Sequence, residues 1–436
     1  MNGLLTDLYQ LTMAAGYFEA GKSREVAVFE LSFRRLPSNR NFVLACGLHR
    51  AAEYLLGLGF EDEEIEYLRG LPQFARVTPA FFEMLRGLRF TGDVFAVPEG
   101  TPVFPGEPIL TLRAPLIEAQ IPETYLLAAI AFQSLIATKA ARVARAAAGR
   151  PAIEFGTRRA HTAEAGVLGA RAAFIGGCAG TSNTRAGFEF SIPVIGTSGH
   201  SWVMSFPSET EAFRRLQALL GDNAVQLVDT YDALEGARIA ASLGAPMWGI
   251  RIDSGDIAAL ARGAREILDS HGLRHAKIMA SGDLDENKIR GLLAAGAPID
   301  AFGVGTELAT SGDAPSLGAI YKLVELDLGG ITRYTAKLGR DKGTLPGSKQ
   351  VFRTRGHDVL ARSGECGEGE ALLRPVILGG RLIEPLPGAH AARKRAAEAL
   401  AKLPPTLSDL EPCAPWPVRN SAGLDQLIET TRRNLP

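Results

Sequence analysis

Downstream of residue 150 the chain repeats one arrangement: a short apolar run, a polar or glycine-rich ending, then a helix-like stretch. The runs are AIEFG, IPVIG, AVQLVDT, MWGIRIDS, AKIMASGD and AFGVGTEL, and segments such as IAALARGAREILDSHG (Ile257–Gly272) separate most of them. Repeated strand–helix units predict an α/β protein with a parallel sheet, either a closed barrel or an open doubly wound sheet. Both solutions gather the carboxyl ends of the strands on one face, where such proteins bind ligands. Here nearly every candidate strand ends in groups that bind something: EFGTRRAH, GTSGHS, DTYD, RIDSGD, ASGDLDE and GVGTEL. One aspartate at a strand end is routine. The whole series marks a functional face.

The residue types on that face narrow the ligand. His200 sits among Gly196, Thr197, Ser198 and Gly199, which leave the imidazole uncrowded and offer hydroxyls and N–H groups suited to a phosphate. Asp229, Asp232, Asp253, Asp256, Asp283 and Asp285 suit ribose hydroxyls or Mg2+. Arg158, Arg159 and Arg251 suit phosphate or carboxylate through forked contacts. Gly282, Gly303 and Gly305 let backbone N–H groups approach a phosphate. Each has a plain structural alternative, since an aspartate caps helices and a glycine makes turns. Together they describe a phosphorylated sugar bound with a metal. No GxxxxGK[ST] loop is present, so any ATP is held without one.

The flanks differ in texture. EVAVFELSF (Glu25–Phe33) and the Pro/Gly-punctuated stretch Gly92–Pro115 read as strands, with a helical section around Gly47–Gly87 between them. A long Ala-rich helix is predicted over about Pro122–Ala148. After Ser316 strands return in AIYKLVELDLGGITRY, QVFRT and RPVILGGRLIEPL, which predicts a β-rich domain shared by the first and third parts of the chain. Helices near Ala389–Lys402 and Gly423–Asn434 end it.

Charge and cysteines set the company the protein keeps. With 47 basic and 48 acidic side chains, it has no bulk attraction to nucleic acid or to an anionic membrane. Cys46, Cys178, Cys366 and Cys413 form no CxxC pair, against a zinc knuckle or a disulfide scaffold and in keeping with a reducing compartment. The N-terminus lacks a basic segment leading into an apolar core, and YLLAAIAFQSLIA is broken by Gln133 and Ser134. The expectation is a cytoplasmic protein with neither nucleic-acid nor membrane partners.

TDLYQLTM, EFGTRRAH, GTSGHSWVMSF, DTYD, GIRIDSGD, SGDLDE and DAFGVGTEL, in this order, resemble the nicotinate phosphoribosyltransferases. The resemblance runs from Thr6 to IYKLVEL and on to PGSKQVFR (Pro346–Arg353), most of the chain. It implies an irregular parallel α/β barrel with a β-rich domain built from N-terminal and post-barrel segments, plus C-terminal helices. The parts then run 1–116, 117–316 (the barrel), 317–388 and 389–436. The implied reaction joins nicotinate to C1 of phosphoribosyl diphosphate, with ATP and Mg2+ required and a homodimer sharing its active sites.

The resemblance also implies roles. His200 matches a histidine transiently phosphorylated by ATP, and Arg251 and Asp253 are its catalytic neighbours. Phe155 matches the aromatic face under the pyridine ring, Arg158 a phosphate partner, and Asp283 a carboxylate near the ribose. Gly282, Gly305 and Thr306 match the 5′-phosphate loop. Asp7 and Tyr9 match residues that reach into the neighbouring subunit's site, while Lys322 and Lys349 add positive charge. Ser182 occupies the position where nicotinamide-using relatives carry aspartate; its structural alternative is a helix cap. The rival readings are a nicotinamide phosphoribosyltransferase and a barrel aldolase using a Schiff-base lysine, for which Lys277 sits at a strand start.

Overall fold

Val26–Phe33 is buried along nearly its whole length, because both of its edges and both of its faces are covered. It pairs antiparallel with Ala319–Asp327 on one side and with Leu110–Pro115 on the other. The one acidic residue of this strand, Glu30, is explained by its partner: Lys349 Nζ lies 2.7 Å away, itself buried. Lys349 is thereby committed to an internal ion pair, and Lys322 pairs with Glu123 at 3.5 Å. In this computed structural model, which describes residues 3–337 and 343–434, the strand lies in a seven-stranded sheet. The sheet order runs Thr332–Tyr334, Ala319–Asp327, Val26–Phe33, Leu110–Pro115, Asp93–Ala96, Arg374–Leu378, Arg381–Leu382. It draws on both ends of the chain, as the return of strands after Ser316 predicts.

Not all of the returning strands join it. Lys349–Arg353 and Asp358–Arg362 form a separate four-stranded sheet with Glu370–Ala371 and Val418–Asn420. The last of these pairs in parallel with Asp358–Arg362, so the C-terminal segment contributes a strand as well as helices Ala389–Lys402 and Ala422–Asn434. The first of those helices docks on the barrel helix Ala163–Gly176, where Arg393 donates to the carbonyls of Phe174 (2.7 Å) and Gly177 (3.0 Å).

The long helix runs Glu123–Ala146. With the turn before it, Leu116–Ala146 is long and apolar enough to cross a membrane, contrary to the expectation from its polar interruptions. Its most apolar window is 72% buried within the protein, so it is a core helix. The interruptions have structural tasks. Ser134 Oγ accepts from Cys46 N at 3.0 Å and donates to Cys46 O at 3.1 Å, and Thr138 Oγ1 accepts from Leu44 N at 2.9 Å. These bonds satisfy backbone groups that the short strand Val43–Leu44 leaves unpaired.

The same helix carries a charge network that is buried except at Asp313, which is exposed. Lys139 Nζ lies 2.7 Å from Glu286 and 2.8 Å from Asp313, while Arg142 holds Glu286 and Arg40 holds Asp313.

The parallel sheet has six strands in the order Gly180–Thr181, Ala152–Glu154, Ala301–Val304, Lys277–Ala280, Gly249–Ile252, Val225–Leu227. IPVIG, read as a strand, makes only a single bridge, Thr181 to Val194. The strand actually present at that edge is the two-residue Gly180–Thr181, too short to register as an apolar run. Helices Ala163–Gly176, Ala233–Leu243, Ile257–Ser270 and Glu286–Ala294 cover the outside through alanine-rich faces. Inside, Ile153, Met279 and Ala301 pack with Phe155, Ile195 and Trp248.

Candidate active site

Arg251 shows that the sheet is rolled. Its strand, Gly249–Ile252, stands four places along the ladder from Gly180–Thr181. Yet its guanidinium Nη1 donates to Thr197 Oγ1 and to Ser198 O (3.4 Å), just past the Val194 bridge to that far strand. A flat sheet would hold these groups well over 15 Å apart, at about 4.8 Å per strand. Rolling the sheet brings the GTSGH loop over the ends of the strands carrying DTYD and RIDSGD.

His200 opens the short helix His200–Met204 in that loop. Its Nδ1 is 3.2 Å from Thr230 Oγ1, and its Nε2 is 3.9 Å from Asp253 Oδ2. Trp202, whose indole N–H donates to Ala212 O at 3.2 Å, anchors the helix to the body of the protein. Asp253 in turn accepts from Ser281 Oγ and stands 3.6 Å from Arg251 Nη2. Its backbone N–H donates to Asp229 Oδ2 (3.1 Å), which also accepts from Ser254 Oγ (2.6 Å).

Several polar atoms here are buried without a partner among the described residues: Arg251 Nε, Ser198 Oγ and Asp229 Oδ1. Burial lowers the Arg251 pKa, Arg158 pushes the same way, and Asp253 and Asp229 oppose it. A cation desolvated to this degree gains from an incoming anion, because buried unpaired groups are costly. Asp229 Oδ1 and Asp253 make a carboxylate pair of the kind Mg2+ uses, one or two protein oxygens completed by substrate phosphates. Among the described residues no group of three or more His, Cys, Asp or Glu side chains could hold a metal alone. The donor set fits a metal brought in on a phosphorylated substrate.

The next loop is shaped by one glycine. Gly282 has φ +88°, and a Cβ there would fall 1.8 Å from Asp253 O. Asp283 follows at φ +47°, its carbonyl held by Lys288 Nζ at 2.6 Å. Gly305 precedes the short helix Thr306–Thr310, with Thr306 exposed at its start. Phe155 is half-buried against the interior cluster, and a Cβ on Gly303 would come within 2.5 Å of its ring. Arg158 is exposed on the turn Thr157–Arg159.

Three of the aspartates singled out from the sequence are helix caps. Asp232 accepts from Glu235 N, Asp256 from Ala259 N, and Asp285 from Asn287 N and Lys288 N. Ser182 is not a cap; Asn183 caps Thr184–Phe190 by accepting from Ala186 N. The Ser182 side chain instead borders a cavity of about 770 Å³ with Thr157, Asn183 and Tyr125. Lys277 lies at the opposite end of its strand from this face, beside Asp300 at 3.3 Å, so a Schiff-base lysine has no place in the cluster.

Asp7 and Tyr9 start the helix Leu8–Glu19 on the β-rich part. Asp7 accepts from Thr124 Oγ1 at 2.7 Å, and Tyr9 stays 49% exposed beside exposed Leu5, Leu8 and Met13. Among the described residues Tyr9 makes no ring contact with Phe155 of its own chain. Thr197 and Ser198 stand beside His200 as the sequence suggests, whereas Thr230 and Ser281 carry no such signal, although both lie within the quoted motifs. For these two, a small hydroxyl near a charged residue is all the sequence offers.

Residues 4–131 match the family described as nicotinate phosphoribosyltransferase N-terminal domain, and residues 152–330 match the nicotinate phosphoribosyltransferase family. The chain is 44% identical to nicotinate phosphoribosyltransferase pncB2 of Mycobacterium tuberculosis, over 94% of this chain and 89% of that one. It is 45% identical to the nicotinate phosphoribosyltransferase of Bacillus subtilis, over 84% and 75% of the two chains. The crystal structure of human nicotinic acid phosphoribosyltransferase superimposes with a TM-score of 0.83 at 30% identity, covering 98% of this chain and all of that one.

Proposed function

The chain belongs to the nicotinate phosphoribosyltransferase family, and from that premise we propose that its barrel face makes nicotinate mononucleotide and couples the synthesis to ATP through His200. The chemical step breaks the bond from C1 of phosphoribosyl diphosphate to its diphosphate oxygen, and the leaving group keeps the electron pair. The lone pair of the pyridine nitrogen forms the new C1–N bond. Such a step, in a pathway of NAD biosynthesis, needs groups that bind diphosphate without quenching the cationic sugar.

Arg251 supports this reading best. Its guanidinium is buried, its Nε has no partner among the described residues, and it faces the His200 loop and Asp253 together. A fixed guanidinium stabilises charge that develops on a leaving diphosphate. Asp253 and Asp283 flank the ribose, and Gly282, Gly305 and Thr306 take its 5′-phosphate on backbone N–H groups and a hydroxyl. Phe155 stacks on the pyridine ring, with Arg158 at the open side. Asp229 and Asp253 would hold Mg2+, which supplies charge neutralisation on the diphosphate oxygens.

The coupling requires the tautomer with its proton on Nδ1, which lies within hydrogen-bond reach of Thr230 Oγ1 and leaves the Nε2 lone pair to attack the γ-phosphorus of ATP. The bond from phosphorus to the ADP oxygen breaks as the N–P bond forms, and water later hydrolyses that bond to release phosphate. Two conformations of differing substrate affinity then alternate with the state of His200. The test is a product assay with nicotinate and with nicotinamide, each with and without ATP. Nicotinate mononucleotide formation stimulated by ATP is expected; a nicotinamide product in excess would move the assignment to the rival reading.

Ser182 sets that preference. A neutral hydroxyl donates to the nicotinate carboxylate, whereas an aspartate there would repel it. Two like charges ~4 Å apart at an effective dielectric of ~20 repel by roughly 4 kcal/mol before relaxation. Ser182→Asp is expected to lower kcat/KM for nicotinate by at least about tenfold, or ~1.4 kcal/mol, and to shift preference toward nicotinamide. An unchanged ratio in the folded variant would place selection elsewhere.

The protein is further proposed to work in the cytoplasm as a homodimer with shared sites. The four unpaired cysteines support the compartment. The exposed Leu5, Leu8, Tyr9 and Met13 support the dimer, since their own chain leaves them uncovered. Mixing the poorly active Tyr9→Ala and His200→Ala subunits is expected to restore part of the ATP-stimulated activity, because a hybrid dimer holds one site with both residues intact. No recovery despite measured subunit exchange would place Tyr9 in its own chain's site.

A further inference from the structure

One cavity borders none of the residues placed in the reaction. It measures about 910 Å³ and lies between the four-stranded sheet and the end of the helix Ala389–Lys402. That volume falls in the range of small-molecule sites, ~300–1,000 Å³.

Its charges are out of balance. Arg353, in its wall, is neutralised by Asp358 at 2.5 Å. Glu370 and Glu398, also in the wall, are engaged by Arg374 (2.9 Å) and Lys394 (3.9 Å). Arg355, Arg395 and Lys402 have no ion pair among the described residues. Arg395 is half-buried and, among the described residues, donates only to the backbone carbonyl of Glu99, at 2.9 Å. Burial is the largest cause lowering its pKa, Arg374 adds to it, and Glu99, Glu370 and Glu398 do not reverse it. Leu372, Leu403 and Trp416 give the wall an apolar part.

We propose that this cavity is a second ligand site, taking a nucleoside polyphosphate with its phosphates on Arg355, Arg395 and Lys402 and its base on the apolar wall. Guanidinium and ammonium groups without carboxylate partners are what a polyphosphate needs, and several converging on one space give charge-assisted bonds without a P-loop. A buried apolar face suits a base and offers nothing to inorganic phosphate. Glu368, which also has no ion pair among the described residues, suits the ribose hydroxyls. The site stands apart from the barrel face, so its occupancy does not depend on the ATP coupling at His200.

The test is photolabelling of the full-length protein with 8-azido-ATP, the labelled peptides being identified by mass spectrometry. Label is expected in peptides spanning 353–372 or 395–403, or in the peptide that holds Trp416. It is expected to fall about tenfold or more in the double variant Arg355→Ala, Lys402→Ala, since each charge-assisted bond is worth about that factor. Both side chains are exposed, and the variant's kcat for nicotinate at saturating substrate is expected to stay at the wild-type value. Wild-type label confined to barrel peptides overturns the proposal, as does equal cavity label in the double variant. Full protection by inorganic tripolyphosphate at the concentration at which ATP protects would show a site that reads charge alone, and would overturn the nucleotide assignment. Label in barrel peptides is scored separately, so the cavity and the ATP coupling fail independently.

Discussion

Incubation with γ-labelled ATP is expected to leave an acid-labile, base-stable phosphate on the protein, and His200→Ala to remove it completely. ATP stimulation of nicotinate mononucleotide synthesis should vanish with it. The imidazole is the nucleophile in this scheme, and nothing beside it replaces it: Thr230 and Asp253 are within 4 Å, but neither forms a labile phosphoramidate. Some ATP-independent synthesis should remain, because Arg251, Asp229 and Asp253 are untouched and their polar contacts do not pass through the ring. Undiminished labelling in the variant would remove His200 from the coupling. Loss of all synthesis, with and without ATP, in a folded variant would assign the imidazole to the sugar chemistry instead.

Asp313→Asn is expected to lower the unfolding free energy by about 3 kcal/mol, a far larger effect than a surface substitution has. Among the described residues Asp313 is the only carboxylate paired with Arg40, whose side chain is fully buried, and it shares Lys139 with Glu286. Removing the charge strands Arg40 in a low-dielectric site, which costs more than the pair contributes. The control is Glu211→Gln, which breaks an exposed pair with Arg215 at 3.5 Å and should cost under ~1 kcal/mol. Denaturant midpoints compare the two.

The network also predicts a pH dependence. Although burial alone would raise it, hydrogen bonds and charge from Arg40 and Lys139 hold the Asp313 pKa well below the ordinary carboxylate range. A depressed carboxylate contributes stability that is fully present above its unfolded value, ~3.9, and is lost as pH falls toward the folded one. The difference between wild type and Asp313→Asn should therefore be constant from pH 7 to 5 and shrink below pH ~4. A difference independent of pH down to 2 would mean that the substitution acts through packing alone.

The seven-stranded sheet was legible in outline because its central strands are long and apolar: Val26–Phe33 and Ala319–Asp327 read as strands wherever they pair. Burial on two faces puts that information into composition. The parallel strands were legible for the same reason, except Gly180–Thr181, whose two residues carry no pattern. Their polar endings marked a functional face before any geometry, because backbone topology alone places strand ends together.

Which of those polar residues face the ligand was not in the sequence. Asp232, Asp256 and Asp285 have the same chemistry as Asp229, Asp253 and Asp283, and local spacing makes the first three caps. Asp229 escapes that role because its carboxylate reaches the next loop, to Asp253 N and Ser254 Oγ. The buried unpaired atoms of Arg251, Ser198 and Asp229 exist only because the sheet rolls and brings Thr197 over Arg251. Likewise the unpaired cations around the large cavity come from segments about 40 residues apart, Arg355 from a loop and Arg395 and Lys402 from a helix. The sequence by itself determined the strand–helix repeat, the chemistry available at its ends and the family to which they belong. Tertiary structure alone decided which charges lost their water and their partners, because desolvation depends on what packs around a group, and those neighbours are distant in the chain.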